Sequence, residues 1–403
     1  MKRIKSLAVA FACALTAFAQ NDYQALGEKF VKSEMTRFPV AWMIDASASK
    51  NQPKWNYTQG LEIMSMQPWL TEYQWVTYAK GYTDSLINES GKIKGFKMKD
   101  YKLDAVNSGK ILFMMYEQTK EQRYKIAMDT LFVQMQNQPK TKEGGMWHKT
   151  IYPDQMWLDG QYMGLPFYLE YVKHFGTKDE YDRAYDFCCN QIDLVTSHTL
   201  CPDCKLYHHA WDSAHKQPWA DKKTGRSAHA WGRAEGWLMM TLVDLLAIRY
   251  DSNVPRLETI DSDPLVKILN TLTDKLLPLQ DAKTHTWQQV LDCTGKKGNY
   301  QEMTGTCMFA YTMLKGVRIN AYQFGKKPAS AYRTVGKNAI DGVIANYVTT
   351  DDKGIMWMHN CCAVAGLSDT RNGSYEYYLS EPIIDNDSKG MGPLFLALKE
   401  LTY

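Results

Sequence analysis

The sequence has almost no surplus charge with which to hold a polyanion. Its 403 residues carry 47 Lys and Arg against 44 Asp and Glu, and the whole excess falls on Lys2, Arg3 and Lys5. With no long basic run elsewhere, there is no electrostatic ground for expecting nucleic acid as a partner. No stretch reaches the ~18 uninterrupted apolar residues of a membrane span. A Pro-, Gly- or Ser-rich linker that would divide the chain is missing, and convincing period-2 strands are scarce. The motifs H-E-x-x-H and G-x-S-x-G are absent, as is a phosphate loop. No metal or cofactor is therefore assigned from sequence. What is present is a folded composition, 45% apolar and 23% charged, which excludes a disordered, collagen-like or small disulfide-built chain. The 25 Tyr, 12 Trp and 21 Met supply flat and adaptable side chains suited to a wide pocket.

The N-terminus reads as an address. Lys2-Arg3-Ile4-Lys5 is a positive n-region, Leu7 to Leu15 an apolar h-region, and Ala17-Phe18-Ala19 an A-x-A cleavage pattern before Gln20. The expected product is an exported protein, periplasmic or secreted, with a leader over 1–19 and one domain over 20–403. The match around Cys13 to a lipoprotein signal is poor. Export permits disulfides among Cys188, Cys189, Cys201, Cys204, Cys293, Cys307, Cys361 and Cys362. Cys201-Pro-Asp-Cys204 has the C-x-x-C spacing of a zinc half-site or a redox motif. A second C-x-x-C and an H-x₃-H are both missing, so a local disulfide or free thiols are favoured over zinc.

Six segments are apolar nearly all round: 58–66, 103–115, 156–169, 235–246, 303–314 and 390–398. Helices buried on every side have this pattern. Between them lie single-stripe helices, such as Tyr124, Met128, Leu131, Phe132 and Met135, or Leu265, Ile268, Leu269, Leu272 and Leu276. Six buried helices alternating with six amphipathic ones predict an all-α fold, an (α/α)6 barrel of six helical hairpins; two separate helical bundles are the alternative. Parallel inner helices put their N-termini on one rim. Polar and aromatic residues fall at those starts: Trp55, Tyr57, Asp104, Asp159, Arg233, Trp237, Glu302, Asp385 and Asp387.

Residues 146–237 hold six of the twelve Trp and seven of the nine His. Within them, 196–233 reads as a long irregular connection, and such loops are usually functional. Indoles mixed with His, Asp and Arg suit a sugar acid: apolar ring faces stack, hydroxyls bond to polar groups, and a guanidinium pairs with a carboxylate. Asp159 lies among apolar neighbours, where desolvation would hold it protonated as an acid. Asp104 has a similar setting. The alternative for either is a helix cap or an ion-pair partner.

Gln155-Met-Trp-Leu-Asp159-Gly-Gln-Tyr-Met-Gly-Leu-Pro-Phe, Gly225-Arg-Ser-Ala-His-Ala-Trp231-Gly-Arg233-Ala-Glu-Gly-Trp237 and Tyr375-Glu-Tyr-Tyr-Leu-Ser-Glu-Pro-Ile closely resemble glycoside hydrolase family 105, the unsaturated rhamnogalacturonyl and glucuronyl hydrolases. Leu103-Asp104-Ala-Val-Asn-Ser-Gly-Lys resembles the family's earlier acidic motif, and the likeness runs from about residue 35 to the C-terminus. It implies an (α/α)6 barrel acting on an oligosaccharide with a 4,5-unsaturated uronic acid at its non-reducing end. By that analogy Asp159 protonates C4 of the enol ether and then activates water for C5, and Asp104 tunes Asp159. Substrate contacts fall to His209, Trp231, Arg233 and Trp237, and with them His148 and Tyr57. In one departure, Ala234-Glu235 stands where Gly-Asn is common, and Glu235 would repel or reposition an acidic substrate. The competing readings are a glucuronyl hydrolase of glycosaminoglycan fragments, an (α/α)6 lyase using Tyr162 or Tyr207 with Arg233, and a non-catalytic glycan-binding protein. The resemblance leaves the oligomeric state open. N-terminal sequencing of the exported protein is expected to start at Gln20; a start at Met1 would remove the leader.

Overall fold

A computed structural model describes residues 20–45, 50–250 and 260–403. The expected leader and Cys13 lie outside the described residues. Fourteen helices follow one another among them: α1 (Gln20–Arg37), α2 (Tyr57–Met66), α3 (Glu72–Leu86), α4 (Asp104–Asn107), α5 (Lys110–Thr119), α6 (Gln122–Gln136), α7 (Leu158–Phe175), α8 (Lys178–Thr199), α9 (Gly232–Arg249), α10 (Pro264–Leu276), α11 (Met303–Arg318), α12 (Ala329–Tyr347), α13 (Tyr375–Ser380) and α14 (Ser388–Leu401). All six all-round apolar segments fall mainly on helices, Met156 and Trp157 lying just ahead of α7, and both single-stripe segments are helical. Local signals set the outer starts. Thr71 with Gln74 and Thr177 with Glu180 form reciprocal capping boxes, and Asp263 caps α10 ahead of Pro264.

The inner helices close a ring. α2 packs on α4 and α5, α4 on α7, α7 on α9, α9 on α11, α11 on α14, and α14 back on α2. The outer helices α1, α3, α6, α8, α10 and α12 clothe it. This is an (α/α)6 barrel. The second inner helix is broken rather than continuous. Between α4 and α5, the Ser108 hydroxyl donates to the Asn56 carbonyl at 2.6 Å, and Gly109 leaves room for Leu131 and Phe167.

The inner N-termini do share one rim. The Trp55 indole donates to the Ala105 carbonyl at 2.7 Å, and Asn107 donates to the Tyr57 carbonyl at 3.1 Å. Gly305 of α11 abuts the backbone of Gly232 and Arg233 at the start of α9. Three two-stranded antiparallel ladders trim this end: β1 (Gln155–Trp157) with β2 (Ala210–Asp212), β3 (Val348–Thr350) with β4 (Met356–Met358), and β5 (Cys361–Cys362) with β6 (Ile383–Ile384). The stretch read as an irregular connection over 196–233 is irregular over most of its length: α8 runs to Thr199, β2 lies in the middle, and α9 begins at Gly232. All eight cysteines from Cys188 onward are free thiols.

Close approach at the rim makes one glycine testable. A Cβ on Gly60 would lie 2.5 Å from the Ser108 Cα, a backbone atom that cannot swing away. Gly60→Ala should cost roughly 1–3 kcal/mol, read as a lowered midpoint in urea unfolding.

Candidate active site

The site is stitched by main-chain hydrogen bonds before any side chain acts. Leu103, just ahead of Asp104, donates its N–H to the His148 carbonyl at 3.1 Å, and His148 donates to the Gln155 carbonyl at 2.9 Å. Gln155 opens β1, whose Trp157 is registered against Ala210 of β2. Leu158 then donates to the His209 carbonyl at 3.1 Å. Loops 101–103, 146–157 and 207–212 are thus fixed to one another, and they carry Asp104, His148, Asp159 and His209 to one place.

Asp159 lies in the first turn of α7, with its side chain 15% exposed. Its Oδ2 is 3.2 Å from His209 Nε2, a contact not aligned as a hydrogen bond, so both atoms are left without a partner. His209 is fully buried, and its Nδ1 meets the Tyr378 hydroxyl at 2.9 Å. Burial pushes the Tyr378 phenol well above its ordinary range, so it stays neutral and can donate. Tyr378 lies in the run Tyr375-Glu-Tyr-Tyr-Leu-Ser-Glu-Pro-Ile, in which no single tyrosine stands out from sequence alone.

Asp104 differs from Asp159. Its Oδ2 is 2.7 Å from Lys149 Nζ, and its Oδ1 is 3.3 Å from His148 Nε2. Burial acts to raise its pKa, but Lys149, His148 and Lys102 together outweigh that and hold the carboxyl well below the usual range. Asp104 is an anion, not the protonated acid expected from its apolar neighbours in sequence, because the cations that decide the matter come from a loop forty residues away. His148 stands between the two carboxylates. It touches Asp104 through Nε2, and its Nδ1 would be 2.8 Å from a Cβ at Gly160, next to Asp159. Its ring stacks on Trp157 at 4.8 Å.

Arg233, at the start of α9, is 1% exposed. Its guanidinium donates to the carbonyls of Cys362 and Ala363 and lies over the Trp231 ring at 4.6 Å. Among the described residues, no carboxylate lies within ion-pair distance of it. Tyr57 is half-buried, and its hydroxyl feels the charges of Arg233, Asp104, Asp387 and Asp159, which places it among all four. Trp231 and Trp237 have their faces largely occupied: Trp231 by Arg233, His209 and Tyr378, and Trp237 by Tyr162 at 4.9 Å and the edge of Tyr57. They brace the wall, and Tyr57 is the ring with open area. Glu302 caps α11 through the N–H groups of Thr304 and Gly305, and Asp387 caps α14 through that of Lys389. Asp385 is elsewhere, bonded to the exposed His359 at 2.9 Å.

Residues 26–403 match the family model described as Glycosyl Hydrolase Family 88. The chain belongs to that family. It is 35% identical to a family 105 glycoside hydrolase of C. acetobutylicum ATCC 824, with a TM-score of 0.82 over 93% of this chain and 98% of that one. A 24.9 kDa protein in the picA locus of Rhizobium radiobacter is 32% identical over 245 residues, 59% of this chain and 97% of the relative. The unsaturated glucuronyl hydrolase of Bacillus sp. GL1 shares the fold at 11% identity, with a TM-score of 0.65 over 94% and 96% of the two chains. The family 88 membership makes the protein a glycoside hydrolase of the unsaturated glycuronyl type.

Two expectations from sequence change in this family 88 barrel. Glu235 does not face an acidic substrate. It is fully buried, its Oε1 accepts the Tyr207 N–H at 2.6 Å, and burial pushes its carboxyl well above the usual range. Tyr162 cannot serve as a lyase base. It is fully buried beneath Trp237, and burial pushes its phenol well above the ordinary value.

Because Asp104 is depressed by folding, its contribution is present above the unfolded carboxylate value near ~4. It disappears as the pH falls through the folded value. Lys149→Met removes the closest cation and should destabilise the protein by roughly 1–3 kcal/mol at pH 7. The deficit should shrink in acid, as followed by urea unfolding across pH.

Proposed function

We propose that this hydrolase removes a 4,5-unsaturated uronic acid from the non-reducing end of rhamnogalacturonyl-type oligosaccharides released by a pectin lyase. The observation that carries the reading is Arg233. Among the described residues this fully buried guanidinium bonds to backbone carbonyls and has no carboxylate at ion-pair distance, while the more distant Glu302 and Asp387 favour its charge. A substrate carboxylate is the natural counterpart, and a planar guanidinium pairs with it in bidentate fashion.

With the uronate held by Arg233, Asp159 is the carboxyl group for the reaction. Its proton goes to C4 of the enol ether, and positive charge spreads over C5 and the ring oxygen. The carboxylate so formed takes a proton from water as that water adds to C5. The hemiketal opens, and the glycosidic bond is lost with release of the remaining sugar. One group is acid first and base second, which distinguishes the scheme from glycosidases that flank the anomeric carbon with two carboxylates. His209, steadied by Tyr378, aligns the carboxyl. Asp104 stays ionised, and sugar hydroxyls are its natural partners. The reading includes export, supported by the leader-like pattern over 1–19.

Incubation with pectin-lyase disaccharides should bleach the ultraviolet band of the unsaturated uronate. Asp159→Asn should lower kcat by about 10³-fold or more with the circular dichroism spectrum unchanged. Unbleached substrate that still binds would identify a glycan-binding protein, and bleaching confined to glycosaminoglycan disaccharides would move the specificity. Arg233→Lys keeps charge but loses the fork, and should lower kcat/KM by roughly ten- to a hundredfold, mainly through KM. Tyr378→Phe should lower kcat by roughly five- to tenfold at unchanged KM.

A further inference from the structure

We propose that Cys201, Cys204 and His208 form a zinc site, separate from the carboxylates and Arg233. The sequence alone favours thiols or a disulfide here, because the third donor is recognisable only in three dimensions. The chain folds back as a tight hairpin after α8. The Cys201 N–H donates to the Leu206 carbonyl at 2.8 Å, the Lys205 N–H to the Cys201 carbonyl at 3.0 Å, and the His208 N–H to the Thr199 carbonyl at 2.9 Å. Lys205 takes a left-handed conformation, φ 60°, to complete the turn. The two sulfurs and a His208 ring nitrogen all lie within 4.8 Å of one another.

Two further features point to a cation. The N–H groups of Asp203 and Cys204 face the Cys201 sulfur, and that of Leu206 faces the Cys204 sulfur. Such amide donors are the surroundings in which a metal-bound sulfur accepts its outer hydrogen bonds. The second feature is the tautomer of His208. Its Nδ1 lies 2.5 Å from the Ser227 carbonyl, which can only accept, so Nδ1 carries the hydrogen. Nε2 is left with a lone pair, buried and without a partner among the described residues, in a residue 5% exposed. Metal-bound histidines characteristically donate their second ring nitrogen to a backbone carbonyl in this way. Two thiolates and a neutral imidazole balance the two charges of the ion, and this soft donor set with C-x-x-C spacing suits zinc. The fourth position is left to solvent. A cavity of about 650 Å³ lined by His208, Trp219, Arg226 and Ser227 borders the histidine. His208 precedes His209, so the ion would pin the loop that carries the partner of Asp159.

The full-length mature protein, purified from the exporting compartment without chelator, should carry one zinc per chain by elemental mass spectrometry. Cys204→Ser and His208→Gln should each lose it, whereas Cys188→Ser should not. Cobalt substituted into the unmutated protein should give the visible bands of a tetrahedral thiolate centre, a readout that does not depend on the variants folding. A protein that carries no zinc, with thiols free or joined as a Cys201–Cys204 disulfide, overturns the assignment. So does stoichiometric zinc that survives both substitutions. Neither result touches the hydrolase reading, which rests on Asp159 and Arg233.

Discussion

Everything at the mouth of the barrel follows from six inner helices pointing their N-termini the same way. Each such end carries unpaired N–H groups and a partial positive charge. Massed on one rim, they make a place where anions are favoured and cations need special support. Acids occupy the rim accordingly: Asp104 and Asp159 in the first turns of α4 and α7, Glu302 and Asp387 as caps of α11 and α14. Arg233 is the exception. It is held by the carbonyls of β5 and its continuation rather than by a carboxylate, so its charge remains available to an incoming anion.

The same rim separates two carboxyl groups that look alike in sequence. Asp104 is surrounded by Lys149, His148 and Lys102, and its proton is lost. Asp159 lies beside the imidazole of His209, whose other nitrogen is engaged by Tyr378. The two carboxyl groups thus have different surroundings, one held ionised by neighbouring cations and the other set beside an imidazole.

The helical layout was legible because burial writes itself into composition. The segments 58–66, 303–314 and 390–398 are apolar on every side, and α2, α11 and α14 prove to be inner walls. Asp159 and Arg233 were legible for a different reason: each sits in a run of residues resembling a known family. What was not legible came from loops that meet only after folding. Lys149 neutralises Asp104 across a main-chain bridge at His148, and Tyr378 reaches His209 across 169 positions. Glu235 looked like an acid beside a guanidinium, yet one turn of helix geometry sends it instead to the Tyr207 amide. Adjacency in sequence misleads most at a helix start, where successive side chains diverge by about 100°.

Ring closure has a bearing on how the molecule is made. The seam is sealed by α14, which rests on α2 and on α1, and the Trp69 indole donates across it to the Phe395 carbonyl at 3.2 Å. The closing wall is therefore the last of the inner helices in chain order. Without it, α2 and α11 would each present an apolar flank with no partner and the ring would not close. A circle whose clasp is the last inner helix in chain order stays open until that helix docks.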